Sequence, residues 1–229
     1  MKHALKSVAI GVCLGIALLF VQISLRLDGR QFTRGYWAVA LTALLGAVAI
    51  NLGYNAYYLH KLRKMAKLWA DEEPQRYVDG VQALLKTAKG RRLRDLLTLN
   101  LAAGYVGTRA FDRAIAMLED FDDRDLKGAV EKVVHRINLC MSYFYTAQYE
   151  KAMALYDENR QLLGKFRNDK TYGAHIALID IIAAIIGKQF DQAEAMLAEA
   201  RKSWPSPPFQ KAFSEVERTL EQLRGLSEG

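Results

Sequence analysis

The chain contains little cysteine, histidine or proline. Of 229 residues, 2 are Cys, 4 are His and 4 are Pro. Two cysteines, one of them Cys13 within an apolar stretch, exclude a secreted fold held together by disulfides. Neither the cysteines nor the scattered histidines have the spacing of zinc ligands, so we expect no metal site. The scarcity of proline favours long, uninterrupted helices.

Motifs that support catalysis are also missing. The sequence has no nucleophile with matching His and acid partners, no glycine-rich phosphate loop and no paired acids in a catalytic pattern. Four acids crowd one turn, but they lack the glycine and terminal glutamate of a calcium loop. These are Asp120, Asp122, Asp123 and Asp125. We therefore expect neither an enzyme nor a cofactor nor a small-molecule substrate.

Charge is absent from two long stretches, Ser7–Leu25 and Gly35–Leu59. As helices they would reach roughly 28 Å and 37 Å, enough to cross a hydrocarbon core about 30 Å thick. A buried core helix is the alternative for either stretch, and a cleaved signal peptide for the first. Their length, and the lack of a small-x-small cleavage site before Arg26, favour two uncleaved spans.

The short connection between the two stretches predicts a membrane hairpin. Residues 26–34 include Asp28-Gly29 as a turn, so both ends of the chain fall on one side of the membrane. The termini side has six Lys or Arg residues, against three in the loop, which favours cytoplasmic termini. The six are Lys2, Lys6, Lys61, Arg63, Lys64 and Lys67. We expect a cell-membrane protein with two spans.

The excess positive charge of the chain lies within or next to the apolar part of the sequence. The net charge of +7 divides into +4 for residues 1–59, +4 for residues 60–70 and −1 for residues 71–229. A nucleic-acid-binding surface would place its positive charge on the folded domain, and here that domain is almost neutral. The distribution therefore argues against nucleic acid and for a membrane.

Three segments of the C-terminal part repeat one pattern. In each, an aromatic residue stands three positions before an alanine, and a large apolar or aromatic residue stands four positions after it. The three sets are Phe111, Ala114 and Leu118; Tyr149, Ala152 and Tyr156; and Phe190, Ala193 and Leu197. The alanines recur at nearly regular intervals, which indicates an internal repeat.

These segments resemble tetratricopeptide (TPR) repeats over roughly residues 91–208. The middle one fits best, with Leu139, Cys140 and Tyr143 on its first helix, and Pro205 stands at the expected turn after the third. The spacings between the alanines exceed the usual TPR length of about 34 residues, and Asp180 and Ala184 depart from the pattern. Asp180 stands alone in an apolar run, so we expect an Arg, a Tyr or a backbone donor to bond it.

The resemblance implies an all-α fold, in which a transmembrane hairpin (residues 1–60) precedes a TPR-like α-solenoid of about eight helices (74–225). Residues 61–73 form a basic juxtamembrane linker. Pro74 suits the first turn of a helix that runs to about Lys89 and stops at Gly90. Pro207 begins a capping helix that ends near Leu223, and such a helix covers the last apolar face of a repeat array.

In TPR proteins the first helix of each pair lines a concave groove. Applied to this chain, the TPR arrangement places one row of groove-lining residues on the first helix of each of the three repeats, and almost all of these residues are apolar. Our candidate binding residues are Val134, Ile137, Met141, Phe144, Tyr145, His175, Leu178 and Ile182. An amphipathic helix or an apolar peptide of a protein partner would suit such a groove. The alternative is that the protein fills its own groove with the 74–89 helix, with the capping helix, or by closing its superhelix tightly.

The sequence thus predicts a membrane-anchored scaffold or adaptor that acts through protein–protein interaction at the cytoplasmic face. A second hypothesis is an accessory subunit that binds a membrane complex through its hairpin, with the repeats as a structural cap. A third, in which the domain faces outward, is disfavoured by the charge count.

Overall fold

The computed structural model describes residues 15–16, 20, 22–24, 29–70, 73–122 and 124–227. All regular secondary structure among them is helical, which confirms the all-α prediction. The chain divides into two compact units, Met1–Leu59 and His60–Gly229. The helices are α1 Gly29–Ala70, α2 Pro74–Thr87, α3 Arg91–Gly107, α4 Phe111–Glu119, α5 Ala129–Tyr145, α6 Tyr149–Phe166, α7 Gly173–Ile186, α8 Phe190–Ser203 and α9 Pro207–Ser227.

Helix α1 contains the whole second apolar stretch and extends beyond it at both ends. Its 42 residues make it roughly 63 Å long. Residues 61–70, expected in a linker, continue the helix. The expected loop over residues 26–34 is wrong in its second part, because α1 already begins at Gly29. The Thr33 hydroxyl donates to the Gly29 carbonyl at 2.7 Å, a bond that fits the first turn of a helix.

Most of the first apolar stretch lies outside the described residues. Residues 15–16, 20 and 22–24 are helical. The structure therefore shows one long apolar helix near the N-terminus, and the two-span hairpin stays a prediction.

Helix α2 begins and ends close to where the sequence predicts. Pro74 occupies its first turn, and Gly90, three residues after its end, has a φ of 89° that suits glycine. Its apolar side buries Tyr77, Val78, Val81 and Leu84. Helix α3 approaches this side closely at Gly104, where a Cβ would lie 2.9 Å from a methyl group of Val78.

The next six helices form three pairs, and one type of turn closes each pair. The turn contains a non-glycine residue in the left-handed region, at a cost of about 1 to 2 kcal/mol. The residue after it donates its amide to a carbonyl five positions back, as in a Schellman motif. The left-handed residues are Arg109 (φ 58°), Ala147 (φ 56°) and Lys188 (φ 56°). The bonds are Ala110 to Tyr105 (2.8 Å), Gln148 to Tyr143 (2.9 Å) and Gln189 to Ala184 (2.9 Å).

The helix pairs contact one another in chain order. The first helix of each pair contacts the first helix of the next pair, so α3 packs against α5 and α5 against α7. Helix α7 in turn packs against the capping helix α9. The second helix of each pair also contacts the first helix of the next pair. The repeat alanines Ala114, Ala152 and Ala193 have 0% exposure, since their small side chains lie in the interior where helices pack. The repeats seen in the sequence therefore correspond to equivalent positions in the structure.

Candidate functional site

The predicted groove residues divide into an inner and an outer set. Ile137, Met141, Phe144 and Leu178 are buried, with 6% exposure or less. Val134, His175 and Ile182 are half-buried. Tyr145 is exposed at 39%. In this structure half of the predicted contact residues thus belong to the interior, and a partner could reach only the others.

Helix α9 packs against the last helix pair, next to the predicted groove residues of α7. It contacts α7 and α8, and its side chains Phe213, Val216 and Leu220 are buried. Phe209 meets the His175 ring edge to face, with centroids 5.0 Å apart. Burial lowers the pKa of His175, because an apolar site disfavours its charged form. Part of the predicted groove is therefore filled by the chain itself, one of the alternatives that the sequence left open.

Ionic contacts extend from α9 to distant parts of the repeat unit. Glu215 pairs with Arg109 in the first turn at 2.5 Å, a residue 106 positions earlier. Arg201 of α8 donates to Glu217 at 2.7 Å, and Arg224 donates to Asp191 at 2.5 Å. Sequence reasoning identified this capping helix but none of these partners. The apolar spacing of Phe209, Phe213, Val216 and Leu220 was the available signal for its buried side.

Tyr145 belongs to an aromatic and charged corner at the first two turns. Its ring stacks on Phe111, with centroids 4.7 Å apart and planes 5° from parallel. The Arg109 guanidinium lies 5.9 Å from the centre of the same ring. Burial, followed by the charge of Glu215, raises the pKa of Tyr145. This corner is the exposed part of the predicted contact surface.

Asp180 has the partners that the sequence predicts. It is 6% exposed, and it accepts a hydrogen bond from the Tyr156 hydroxyl at 2.7 Å. Arg167 donates to the same carboxylate at 3.0 Å. Burial raises the pKa of the Tyr156 hydroxyl to about 12, with the bond to Asp180 as the second cause. The expected structural tie is confirmed, and it fastens α6 to α7.

Other charged groups that drew attention in the sequence also make structural contacts. Arg91 pairs with Asp125, and Arg92 with Glu131 at 3.3 Å, so both basic side chains at the start of α3 are neutralised within the fold. In the acidic turn, Asp122 bonds Arg124, which lowers the pKa of that carboxyl to about 2. The pairs made by Arg91 and Arg92 link α3 to the 120–128 connection and to α5.

The described residues contain no group of three or more His, Cys, Asp or Glu side chains placed to hold a metal ion. Cys140 is buried, and burial raises the pKa of its thiol to about 12. A thiol with so high a pKa is inert as a nucleophile.

Helix α1 differs from the other helices in its exposure. Within Thr33–Leu68 an 18-residue window has a mean hydropathy of 1.7, and none of that window is buried. By length and composition it is the one described helix able to cross a membrane. Its two asparagines bond each other, since Asn55 Nδ2 donates to the Asn51 carbonyl at 2.8 Å and to Asn51 Oδ1 at 2.9 Å.

No protein-family model, curated protein or solved structure matches this chain. The resemblance to TPR repeats rests on the motif residues of the chain itself.

Proposed function

We propose that this protein is a membrane-anchored scaffold or adaptor. In this proposal α1 and the first apolar stretch cross the membrane as a hairpin with cytoplasmic termini. Residues 74–225 form a TPR-like α-solenoid that recruits a protein partner at the cytoplasmic face. The exposed apolar window of α1 carries the proposal. Such a surface is costly in water, and a bilayer is the environment that suits its length.

The scaffold role is supported by the helix pairs. Three equivalent turns and consecutive contacts between pairs are the features of a repeat array, and repeat arrays present extended surfaces to partners. On such a surface the exposed Tyr145 stacks on the half-buried Phe111, and aromatic residues are enriched at protein interfaces.

The membrane part is tested by alkaline carbonate extraction and by reporters fused to the C-terminus of the full chain. We expect the chain to stay in the membrane pellet, with the C-terminal reporter active only on the cytoplasmic side. A chain released by carbonate would contradict the anchor, and a C-terminus on the outer side would contradict the orientation.

The adaptor part is tested by cross-linking in cells and purification of the full chain from membranes. Tyr145→Glu places a charge on the predicted contact surface, and Tyr149→Glu is the matched control, because Tyr149 is exposed at 49% but lies outside that surface. We expect a partner that is lost with Tyr145→Glu and kept with Tyr149→Glu. An unchanged set of partners with both variants would exclude this surface.

A second candidate is an accessory subunit that binds another membrane protein through its hairpin. The observation that favours it is the burial of Ile137, Met141, Phe144 and Leu178, which leaves little open groove. Asn51 and Asn55 add amide groups on an apolar helix that can bond a neighbouring helix. Replacing residues 35–59 with an unrelated apolar span would abolish this association and would leave an adaptor intact.

A further inference from the structure

The last turns of α1 combine a packed side with an exposed basic side. Leu62, Met65 and Leu68 are half-buried. Met65 lies so close to α2 that a Cβ on Gly80 would overlap its sulfur atom, so the absence of a side chain at Gly80 permits the contact. This contact fixes which side of residues 60–70 faces the helical unit and which faces outward.

Three cations occupy the outward side. Arg63, Lys64 and Lys67 are exposed, and none of them makes an ion pair with another described residue. Arg63 and Lys67 are four positions apart, so they share one face of the helix. These three residues, called here the basic face, differ from Arg91 and Arg92, which are neutralised by acids within the fold.

The distance of Arg63 and Lys64 from the apolar stretch fits a lipid headgroup layer. At 1.5 Å per residue, Arg63 and Lys64 lie roughly 6 to 8 Å along the helix from Leu59, and Lys67 roughly 12 Å. The headgroup region on each side of a bilayer is about 5 to 8 Å thick. Asp71 and Glu72 follow in the sequence. The next acid, Glu73, pairs with Arg76.

We propose that the basic face binds the headgroups of anionic phospholipids. This inference rests on the proposed membrane anchor and adds the chemistry of the lipid that surrounds it. A cation near a membrane surface contributes about a fivefold preference for anionic lipid, so three cations give up to roughly 100-fold. Allowing for the nearby acids, we expect at least a tenfold preference.

The test uses the full chain reconstituted in phosphatidylcholine vesicles that contain brominated phosphatidylglycerol or brominated phosphatidylcholine. Quenching of tryptophan fluorescence gives the relative affinity for the two lipids. The test variant combines Arg63→Gln, Lys64→Gln and Lys67→Gln. The control combines Lys165→Gln, Lys170→Gln and Lys202→Gln, which removes the same charge from exposed positions elsewhere in the unit.

We expect the test variant to lose the preference for phosphatidylglycerol, and the control to keep it. In 0.5 M NaCl the wild-type preference should also fall, because salt screens exposed charges. An unchanged preference in the test variant, or an equal loss in the control, would overturn the proposal. Tighter binding to a short DNA duplex, lost with the test variant, would reassign the basic face to nucleic acid. Failure of the full chain to enter vesicles would refute the anchor itself.

Discussion

Helices α1 and α7 are both strongly apolar, and the structure places them in opposite environments. In α7, Ile176, Ile179 and Ile181 have 0% exposure. In α1 none of the most apolar window is buried. Helix α7 has 14 residues and reaches roughly 21 Å, too short to cross a bilayer, and its neighbours α5, α6, α8 and α9 cover it. Apolar composition alone thus does not determine where a helix resides; its length and its neighbours do.

The polar groups of the two helices follow the same division. Asp180 of α7 depends on Tyr156 and Arg167 from outside its own helix. Asn55 of α1 bonds to Asn51 within the helix. A helix in lipid must satisfy its polar groups internally or with another membrane helix, because hydrocarbon offers no partners.

The largest expected effect comes from a lysine introduced into each helix, which should reduce folding stability in α7 and membrane insertion in α1. Ile179→Lys buries a charge in the packed core and should destabilise the repeat unit by at least ~4 kcal/mol. Ile50→Lys, at a position exposed at 75%, should leave the repeat unit folded but oppose membrane insertion by about 3 kcal/mol. Circular dichroism during urea unfolding and a membrane-insertion assay measure the two effects. Unfolding of the repeat unit by Ile50→Lys would contradict the comparison.

The second-largest difference between the two helices should come from an added methyl group. A Cβ on Gly173, at the start of α7, would overlap the carbonyl oxygen of Arg167 and the ring of Trp204. Gly173→Ala should therefore cost roughly 2 to 3 kcal/mol of unfolding free energy. For a Cβ on Gly46 of α1, no described atom beyond its own helix backbone lies within 4 Å, so Gly46→Ala should leave the stability of the repeat unit unchanged. Denaturant unfolding of both variants decides this, and equal stability would show that α7 can shift to make room.

Removal of one buried charge should have a smaller effect. Asp180→Asn keeps an acceptor for Tyr156 but loses the ionic bond with Arg167, which is half exposed. We expect a loss of about 1 to 2 kcal/mol in the free energy of unfolding, measured in urea. Asp157→Asn is the control, because Asp157 pairs with Arg160 on an exposed helix surface and such pairs contribute little. A similar loss in both variants would argue against a special role of the buried tie.

Low pH should reduce the stability contributed by α7 but should not act on the apolar stretch of α1. Burial lowers the pKa of His175, so the unfolded chain binds a proton more readily than the folded one. Stability is therefore complete above the ordinary pKa of about 6.5 and falls as the pH drops below it. Residues 35–59 contain no His and no charged residue. Urea unfolding at pH 7.5 and pH 5.5 should show a smaller acid loss for His175→Gln than for wild type. An equal loss would exclude His175 as its source.

Local patterns in the sequence predicted much of the fold. The positions of Pro74 and Gly90 predicted the limits of α2 within about two residues, because turn chemistry acts over a few positions. The repeat alanines predicted the three helix pairs. The start of α1 at Gly29 could not be predicted in this way, since the segment that follows suits a loop or a helix equally well.

The candidate site was less predictable, because its surroundings come from distant parts of the chain. Phe144 and Tyr145 are neighbours in the sequence, and both were predicted to line the same groove. In the structure Phe144 is buried and Tyr145 is exposed. The pairing of Arg109 with Glu215 joins residues 106 positions apart. A helical pattern indicates which side of a helix is apolar, but it does not identify the helix that covers it.

The identical turns at Arg109, Ala147 and Lys188 make the chain modular. Each turn is closed by bonds to its own preceding helix, so its geometry does not depend on which pair follows. Deleting residues 110–147 would join Arg109 directly to Gln148 and recreate the same left-handed turn at the junction. A shortened protein with one helix pair fewer is therefore compatible with the local geometry of the backbone, and a duplication of the same segment would lengthen it by one pair.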